Sequence, residues 1–327
     1  MNGRKTTSGF ISFVCTVALS AYMAGCSDDT TSSNPGAAGQ GETQSSASTE
    51  NPVNSSDTPA LSSSDSGSQG NPTSTETPGV LAPDADGFYD MGDVYKLTPA
   101  TSKIAFVIRH SKREKNKTGQ ESQLTPIGVQ MAQTLGTKLK SEESFHYAST
   151  DFVRTRETCK NIATGRGETD VEVETWSGID GSYFLTVPSD TLDALVSSKG
   201  GNPKFVSMYS YGVPFSNPNY GELLTSYFHD FFTRGQQFID EVIVPNMASW
   251  KRVSILVSHD MLAEPLIAFV SNRTIDLKLH EGNHRWVNYL SGIAVIIDEG
   301  GTVTTLPVRG DSVGWMVPAD EVDESVQ

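Results

Sequence analysis

The chain has 327 residues, with 24 Lys and Arg against 39 Asp and Glu, a formal net charge of -15. So acidic a balance excludes a nucleic-acid binder that depends on a basic footprint. The charge is unevenly spread: between Lys5 and Lys96 there is no Lys or Arg but eleven Asp or Glu, which leaves -6 for everything from Lys96 onward.

Arg4 and Lys5 precede an apolar run from Phe10 to Met23 and the small residues Ala24-Gly25 before Cys26. A charged start, a short apolar run and a small-residue cut site describe an export signal, too short for a comfortable membrane span. Met23-Ala24-Gly25-Cys26 resembles the lipobox of bacterial lipoproteins. That resemblance implies that residues 1–25 are removed and Cys26 is lipidated. The protein is then expected to be exported and anchored to the bacterial cell envelope, with Ser27 resembling the outer-membrane sorting choice. Residues 26–85 are Ser, Thr, Gly, Pro and Asn with scattered acids. They hold too little apolar surface to offset chain entropy and are expected to form a disordered tether. A folded domain is expected over 86–317, with an acidic tail over 318–327. Cys15 would leave with the signal and Cys26 would carry lipid, so Cys159 has no partner for an intrachain disulfide; it reads as a small packed hydrophobe.

Within the domain, Ile104–Ile108 is a short apolar run of the kind buried on both faces of a sheet, and it ends at Arg109-His110. Thr125 and Pro126 predict a helix N-terminus, followed by Ile127, Met131, Leu135 and Leu139 at helical spacing. Phe145–Ser149 reads as a strand, and a helix follows through Arg154 to Ala163, ending at Gly165. Leu223, Leu224, Tyr227, Phe228, Phe231, Phe238, Ile239 and Val242 predict one apolar helical stripe that Pro245 terminates. Val253–Val257 is a second buried-type strand and ends at His259-Asp260. Ile293–Ile297 is a third, closed by Asp298–Gly301. This alternation predicts an α/β fold, a three-layer α/β/α sandwich with a largely parallel central sheet. Ligands bind such sheets outside the carboxyl ends of the strands, where both histidines fall.

Four stretches now carry a family resemblance. Phe106-Val-Ile-Arg-His-Ser-Lys-Arg113 resembles the Arg-His-Gly signature of the histidine phosphatase superfamily, and Leu124-Thr-Pro-Ile-Gly128 resembles its following helix start. Ala148 to Thr158 resembles the strand and helix carrying the second arginine, and Val257-Ser-His-Asp260 the second histidine. In order, they imply a phosphoglycerate mutase-like fold and a metal-independent phosphatase of phosphate monoesters that needs no cofactor. The expected partners are a small phosphorylated substrate and, through Cys26, the membrane.

The residue types suit that chemistry. A phosphate monoester is anionic and offers several acceptor oxygens. Arg109 and Arg154, with Arg113 as a further candidate, supply rigid forks matching those oxygens. Nearby guanidiniums favour a neutral His110, whose ring nitrogen attacks phosphorus to give a phosphohistidine, while His259 stabilises charge on the moving group. The leaving oxygen needs a proton. Asp260 matches the donor of the acid-phosphatase and phytase branch, whereas Glu174 or Asp180 would match the mid-chain donor of the mutase-like branch. Ser111 stands where the family has Gly, and so puts a side chain where backbone would approach phosphate.

Two rival readings follow from other residues. A phosphatase fold that only holds phosphorylated ligands would account for Ser111. His280-Glu281-Gly-Asn-His284 fits the spacing of a zinc hydrolase, but Gly282 and Asn283 favour a loop over the helix that such a site needs. Trp176, Tyr183, Phe184, Tyr209, Tyr211, Phe215 and Tyr220 fall in a Gly- and Pro-containing insert expected to be loop-rich, where aromatics belong to core more often than to ligand contacts.

Overall fold

The run Ile104–Ile108 lies inside strand β2 (Lys103–Arg109), and its alternate side chains go to opposite faces of a sheet. Ile104, Phe106 and Ile108 join one apolar cluster, Ala105 and Val107 the other. A strand buried on both sides has no need of polar alternation, which is why its sequence is continuously apolar. A computed structural model describes residues 79–115, 117, 119–197, 201–213, 226–281 and 284–318. The signal, Cys26, nearly all of the tether, Phe215, Tyr220, Leu223, Leu224, Gly282, Asn283 and the acidic tail beyond 318 lie outside the described residues.

The remaining sheet strands are β1 (Tyr89–Asp90), β3 (His146–Ser149), β4 (Glu174–Thr175), β5 (Val253–Ser258), β7 (Ser291–Ile297) and β8 (Val303–Arg309). Their order is β1-β8-β7-β2-β5-β3-β4, and β7 alone runs antiparallel to the rest. A separate two-stranded ribbon pairs β6 (Trp286–Val287) with β9 (Trp315–Met316). Helices α1 (Met91–Leu97), α2 (Pro126–Lys138) and α3 (Val153–Arg166) pack on one face of the sheet. Helices α4 (Ser189–Val196), α5 (Gly201–Ser210), α6 (Phe231–Gln237) and α7 (Asp260–Val270) pack on the other. This is the expected three-layer α/β fold with a mostly parallel sheet.

Local sequence explains the helix ends. Thr125 caps α2, its Oγ1 accepting from the Gly128 amide at 3.0 Å, with Pro126 in the first turn. Ile127 departs from the expected apolar stripe and is exposed; the face that α2 buries is Gly128, Ala132, Leu135 and Gly136. Helix α3 does not stop at Gly165 but runs to Arg166, and Gly167 closes it in a left-handed conformation. Gly165 is instead a contact residue: a Cβ there would stand 2.0 Å from the Gln133 carbonyl, so α2 and α3 approach at backbone distance.

The later helical stripe also differs from expectation. Asp230 caps α6 by accepting from the Thr233 amide, so Tyr227 and Phe228 lie outside that helix. Pro245 does not terminate it: a π-helical turn, Phe238–Ile243, leads into a final turn, Val244–Met247. A widened turn accommodates a residue that has no N–H and whose ring crowds the preceding turn. The insert holds α4 and α5 rather than loops alone, and its Phe184 and Tyr209 are buried in the core, Tyr209 stacking on Phe228 at 4.3 Å. Cys159 is buried as expected, which pushes its thiol well above the usual range.

Candidate active site

Strand register assembles the site. Strands β2 and β5 are parallel and adjacent, with Arg109 opposite Ser258, so His110 and His259 leave the sheet side by side. The His110 amide donates to the Ser258 carbonyl at 2.9 Å, and the two imidazoles meet edge to face at 5.6 Å. Strand β3 flanks β5 on its other side and delivers Thr150, whose amide donates to the Val257 carbonyl. Arg154 enters from the first turn of α3.

The hydrogen bonds fix the state of each histidine. His110 Nδ1 lies 2.7 Å from the Ser111 carbonyl, which can only accept, so Nδ1 carries the proton. Its Nε2 therefore presents a lone pair, which accepts from Arg154 Nε at 3.1 Å. His259 has the opposite arrangement: Nδ1 faces Arg154 Nη2 at 3.4 Å, and Nε2 donates to Thr150 Oγ1 at 2.9 Å. Thr150 Oγ1 is in turn 3.0 Å from Thr155 Oγ1. Arg154 Nη1 also donates to the Gly119 carbonyl, and the guanidinium lies over the Phe152 ring at 4.4 Å. Arg109, His110, Arg154 and His259 are each at most 2% exposed, so these interactions operate away from bulk solvent.

Ser111 does not intrude on this cluster. Its Oγ donates to the Gly128 carbonyl at 2.7 Å and its amide donates to Thr158 Oγ1 at 3.0 Å. Gly128 makes this possible, since a Cβ there would stand 2.0 Å from the Lys112 carbonyl. The side chain that raised doubt about turnover is thus a brace between the β2–α2 loop and α2. Arg113 is buried and donates to the carbonyls of its own loop, Glu114 at 2.9 Å and Lys117 at 3.3 Å.

The three candidate proton donors part company. Asp260, at the start of α7, has Oδ2 3.1 Å from Trp286 Nε1 and 3.5 Å from Arg109 Nη2, while Oδ1 accepts from the Met261 amide at 2.9 Å. Those are all donors, and they suit an ionised carboxylate rather than an acid with a proton to give. Glu174 is not brought to the site: its register opposite Ala148 places it beside His146, whose Nε2 is 3.1 Å from its Oε2. Asp180 follows a 3-10 turn, Ser177–Ile179, that packs on the site, with Ser258 Oγ donating to the Ile179 carbonyl at 2.6 Å. The next residue, Gly181, sits so close that a Cβ there would touch His259 at 3.4 Å. Asp180 is solvent-exposed and holds Ser182 through Oδ1.

Among the described residues of the zinc-type spacing, none lies on a helix. His280 lies in a turn with Nδ1 2.9 Å from Ser207 Oγ, and His284 has a left-handed backbone with φ 53°. Sequence reasoning missed Thr150, Trp286 and Tyr289. Thr150 had a signal, being the first residue past a third parallel strand. Tyr289, whose ring lies 4.3 Å under the Arg109 guanidinium and 5.9 Å from His110, had none: it is placed by a turn in which the buried Leu290 takes φ 60°.

Comparison with curated proteins gives no match. Solved structures similar to the chain include phosphoglycerate mutase from Bacillus anthracis, 20% identical, covering 64% of this chain and 94% of its own, with a TM-score of 0.41. A phosphoserine phosphatase from Entamoeba histolytica is 18% identical over 62% of this chain and 94% of its own, with a TM-score of 0.37. A mycobacterial glucosyl-3-phosphoglycerate phosphatase is 15% identical over 66% and 97%, with a TM-score of 0.37. The family model described as the histidine phosphatase superfamily (branch 1) matches residues 105–304, a span that holds all four site residues and most of the sheet; the chain belongs to that superfamily.

Proposed function

We propose that this protein hydrolyses small phosphate monoesters through a phosphohistidine on His110. The observation that carries the reading is the placing of the His110 ring, with Nδ1 2.7 Å from the Ser111 carbonyl and Nε2 3.1 Å from Arg154 Nε, which favours a proton on Nδ1 and a lone pair on Nε2. A phosphoryl group entering there replaces the imidazole nitrogens as the acceptor for Arg154 and takes a second fork from Arg109. Nε2 attacks phosphorus as the ester P–O bond breaks, and the bond from Nδ1–H to Ser111 steadies the charge that develops on the ring. His259 meets the phosphoryl oxygens with Nδ1, where an adjacent anion favours a second proton, and Thr150 keeps its ring in plane. Asp180 is the carboxyl group in this reading that protonates the leaving oxygen; its carboxylate then takes a proton from the water that attacks phosphohistidine, releasing inorganic phosphate.

The test is turnover of a panel of phosphate monoesters in the presence of chelator, by wild type and by His110→Ala. The reading expects metal-independent hydrolysis and a loss of at least about 10⁴-fold in the variant. Wild-type turnover by His110→Ala, or activity that chelator abolishes and zinc restores, would contradict it. The same proposal places the enzyme on the bacterial envelope through lipidated Cys26, on the strength of the Met-Ala-Gly-Cys run and the acidic tether behind it. Fatty-acid labelling of cells should vanish in Cys26→Ala, and unchanged labelling would end the anchor proposal.

A further inference from the structure

The geometry points to Asp260 as a positioning residue for Arg109, acting with Trp286 and Tyr289 as a holder that fixes the guanidinium for a phosphoryl group. The inference rests on the reading of His110 and Arg109 given above, and deepens it. A guanidinium binds phosphate well only when its fork is presented at a set angle, and an arginine free to rotate loses conformational entropy on binding. Arg109 is restrained on several sides. Nη1 donates to the Val287 carbonyl at 2.6 Å and contacts Met316 Sδ at 3.4 Å. Nη2 lies 3.5 Å from Asp260 Oδ2, and the plane rests on the Tyr289 ring at 4.3 Å.

Asp260 is itself fixed. Its Oδ1 accepts from the Met261 amide and its Oδ2 from Trp286 Nε1, and the residue is 2% exposed. The holder therefore joins the first turn of α7, the ribbon of β6 and β9, and the turn carrying Tyr289, all distant in sequence from β2. A buried carboxylate near an anion-binding site repels the anion. Asp260 can favour phosphate only through Arg109, and this separates the role from that of a proton donor, whose effect depends on the leaving group and not on Arg109.

The experiment uses the full chain as wild type, Asp260→Ala, Trp286→Phe, Arg109→Ala and the Asp260→Ala/Arg109→Ala double variant. Each is assayed on nitrophenyl phosphate and on glycerol phosphate, and titrated with inorganic phosphate by calorimetry. A misplaced binding group costs about 10²-fold, so Asp260→Ala should lose about that factor in kcat/KM on both esters alike, with weaker phosphate binding. Trp286→Phe, which removes the N–H donor together with part of the ring but leaves Asp260 and Arg109 in place, should lose less and in the same proportion on both. In the Arg109→Ala background, Asp260→Ala should add under about threefold. A loss confined to glycerol phosphate would make Asp260 the proton donor, and an undiminished loss without Arg109 would show that it acts independently; either overturns the inference. Should Asp260→Ala fail to fold, a Trp286→Phe enzyme unchanged on both esters and in phosphate affinity overturns it equally. Failure of the phosphohistidine reading shows separately, as turnover retained by His110→Ala.

Discussion

At the rim where β2, β5 and β3 end, Arg154 donates to the imidazole nitrogens of His110 and His259. At the opposite rim, where β3 and β5 begin, Arg166 donates to the carbonyls of Leu139 and Glu143 and to the Glu168 carboxylate. Both arginines are buried, and the second rim opens on a cleft of about 880 Å³ lined by Lys140, His146, Arg166, Glu174 and Lys251. The difference lies in what the partners can give up. If an anion took the guanidinium, the freed imidazole lone pairs would not be stranded, since a ring nitrogen can bind a proton or an electrophile instead. A buried carbonyl stripped of its donor is left unpaired, at a cost of about 1–3 kcal/mol. Arg166 therefore serves the fold, whereas Arg154, two of whose partners are imidazole nitrogens, keeps donors that an anion could take over. Cleft size and cation count do not make that distinction.

Substitutions can break or sharpen the comparison. The largest effect after loss of His110 is expected at Asp180: Asp180→Asn should cost about 10²–10⁴-fold on an alkyl phosphate and much less on nitrophenyl phosphate, whose leaving group departs unaided. An equal loss on both would move the donor elsewhere. Arg154→Lys keeps the charge but loses the fork, and should cost about 10²–10³-fold in kcat/KM with little change in unfolding midpoint. Arg166→Met should do the reverse, lowering unfolding free energy by about 2–3 kcal/mol in urea while kcat stays near wild type. If Arg166→Met lost activity at full stability, the two rims would not differ as described.

A smaller effect is tied to pH. Glu264 in α7 is fully buried and accepts from Ser210 Oγ at 2.6 Å, and burial pushes its carboxyl well above the usual range. The folded state therefore holds this proton where the unfolded chain has released it, and stability falls as pH rises above the ordinary carboxylate range toward the raised value. Glu264→Gln should flatten that fall, so that the variant gains on wild type in urea denaturation as pH increases. A pH dependence identical to wild type would contradict a neutral Glu264. The smallest effect belongs to Glu174→Gln: an exposed pair with His146 should change both activity and stability little, within about 0.5 kcal/mol.

The sheet and the clustering of Arg109, His110, Arg154 and His259 could be read from sequence because short-range patterns encode them. Apolar runs mark β2 and β5, and the residues that follow each run must emerge at the same end of a parallel sheet. What could not be read depends on register and on turns. Glu174 and Asp180 are six residues apart, and the pairing of β4 with β3 sends one toward His146 while the turn at 177–179 brings Gly181, the neighbour of the other, against His259. Asp260 follows His259 in sequence as a proton donor would, yet its surroundings are set by Trp286, which reaches it from β6. Gly165 and Pro245 read as terminators because propensity favours that outcome. Helix packing against α2 and a π-helical turn overrode it.

The central claim, that the His110 Nε2 lone pair is the nucleophile, is tested most directly by trapping the intermediate. The enzyme is mixed with a labelled phosphate ester, quenched within milliseconds into base, digested and analysed by mass spectrometry. A phosphoryl group on His110 that survives base, is lost in acid and forms more slowly in Arg154→Lys is the predicted result. Turnover with no label on His110, or label on another residue such as His280, would contradict the account.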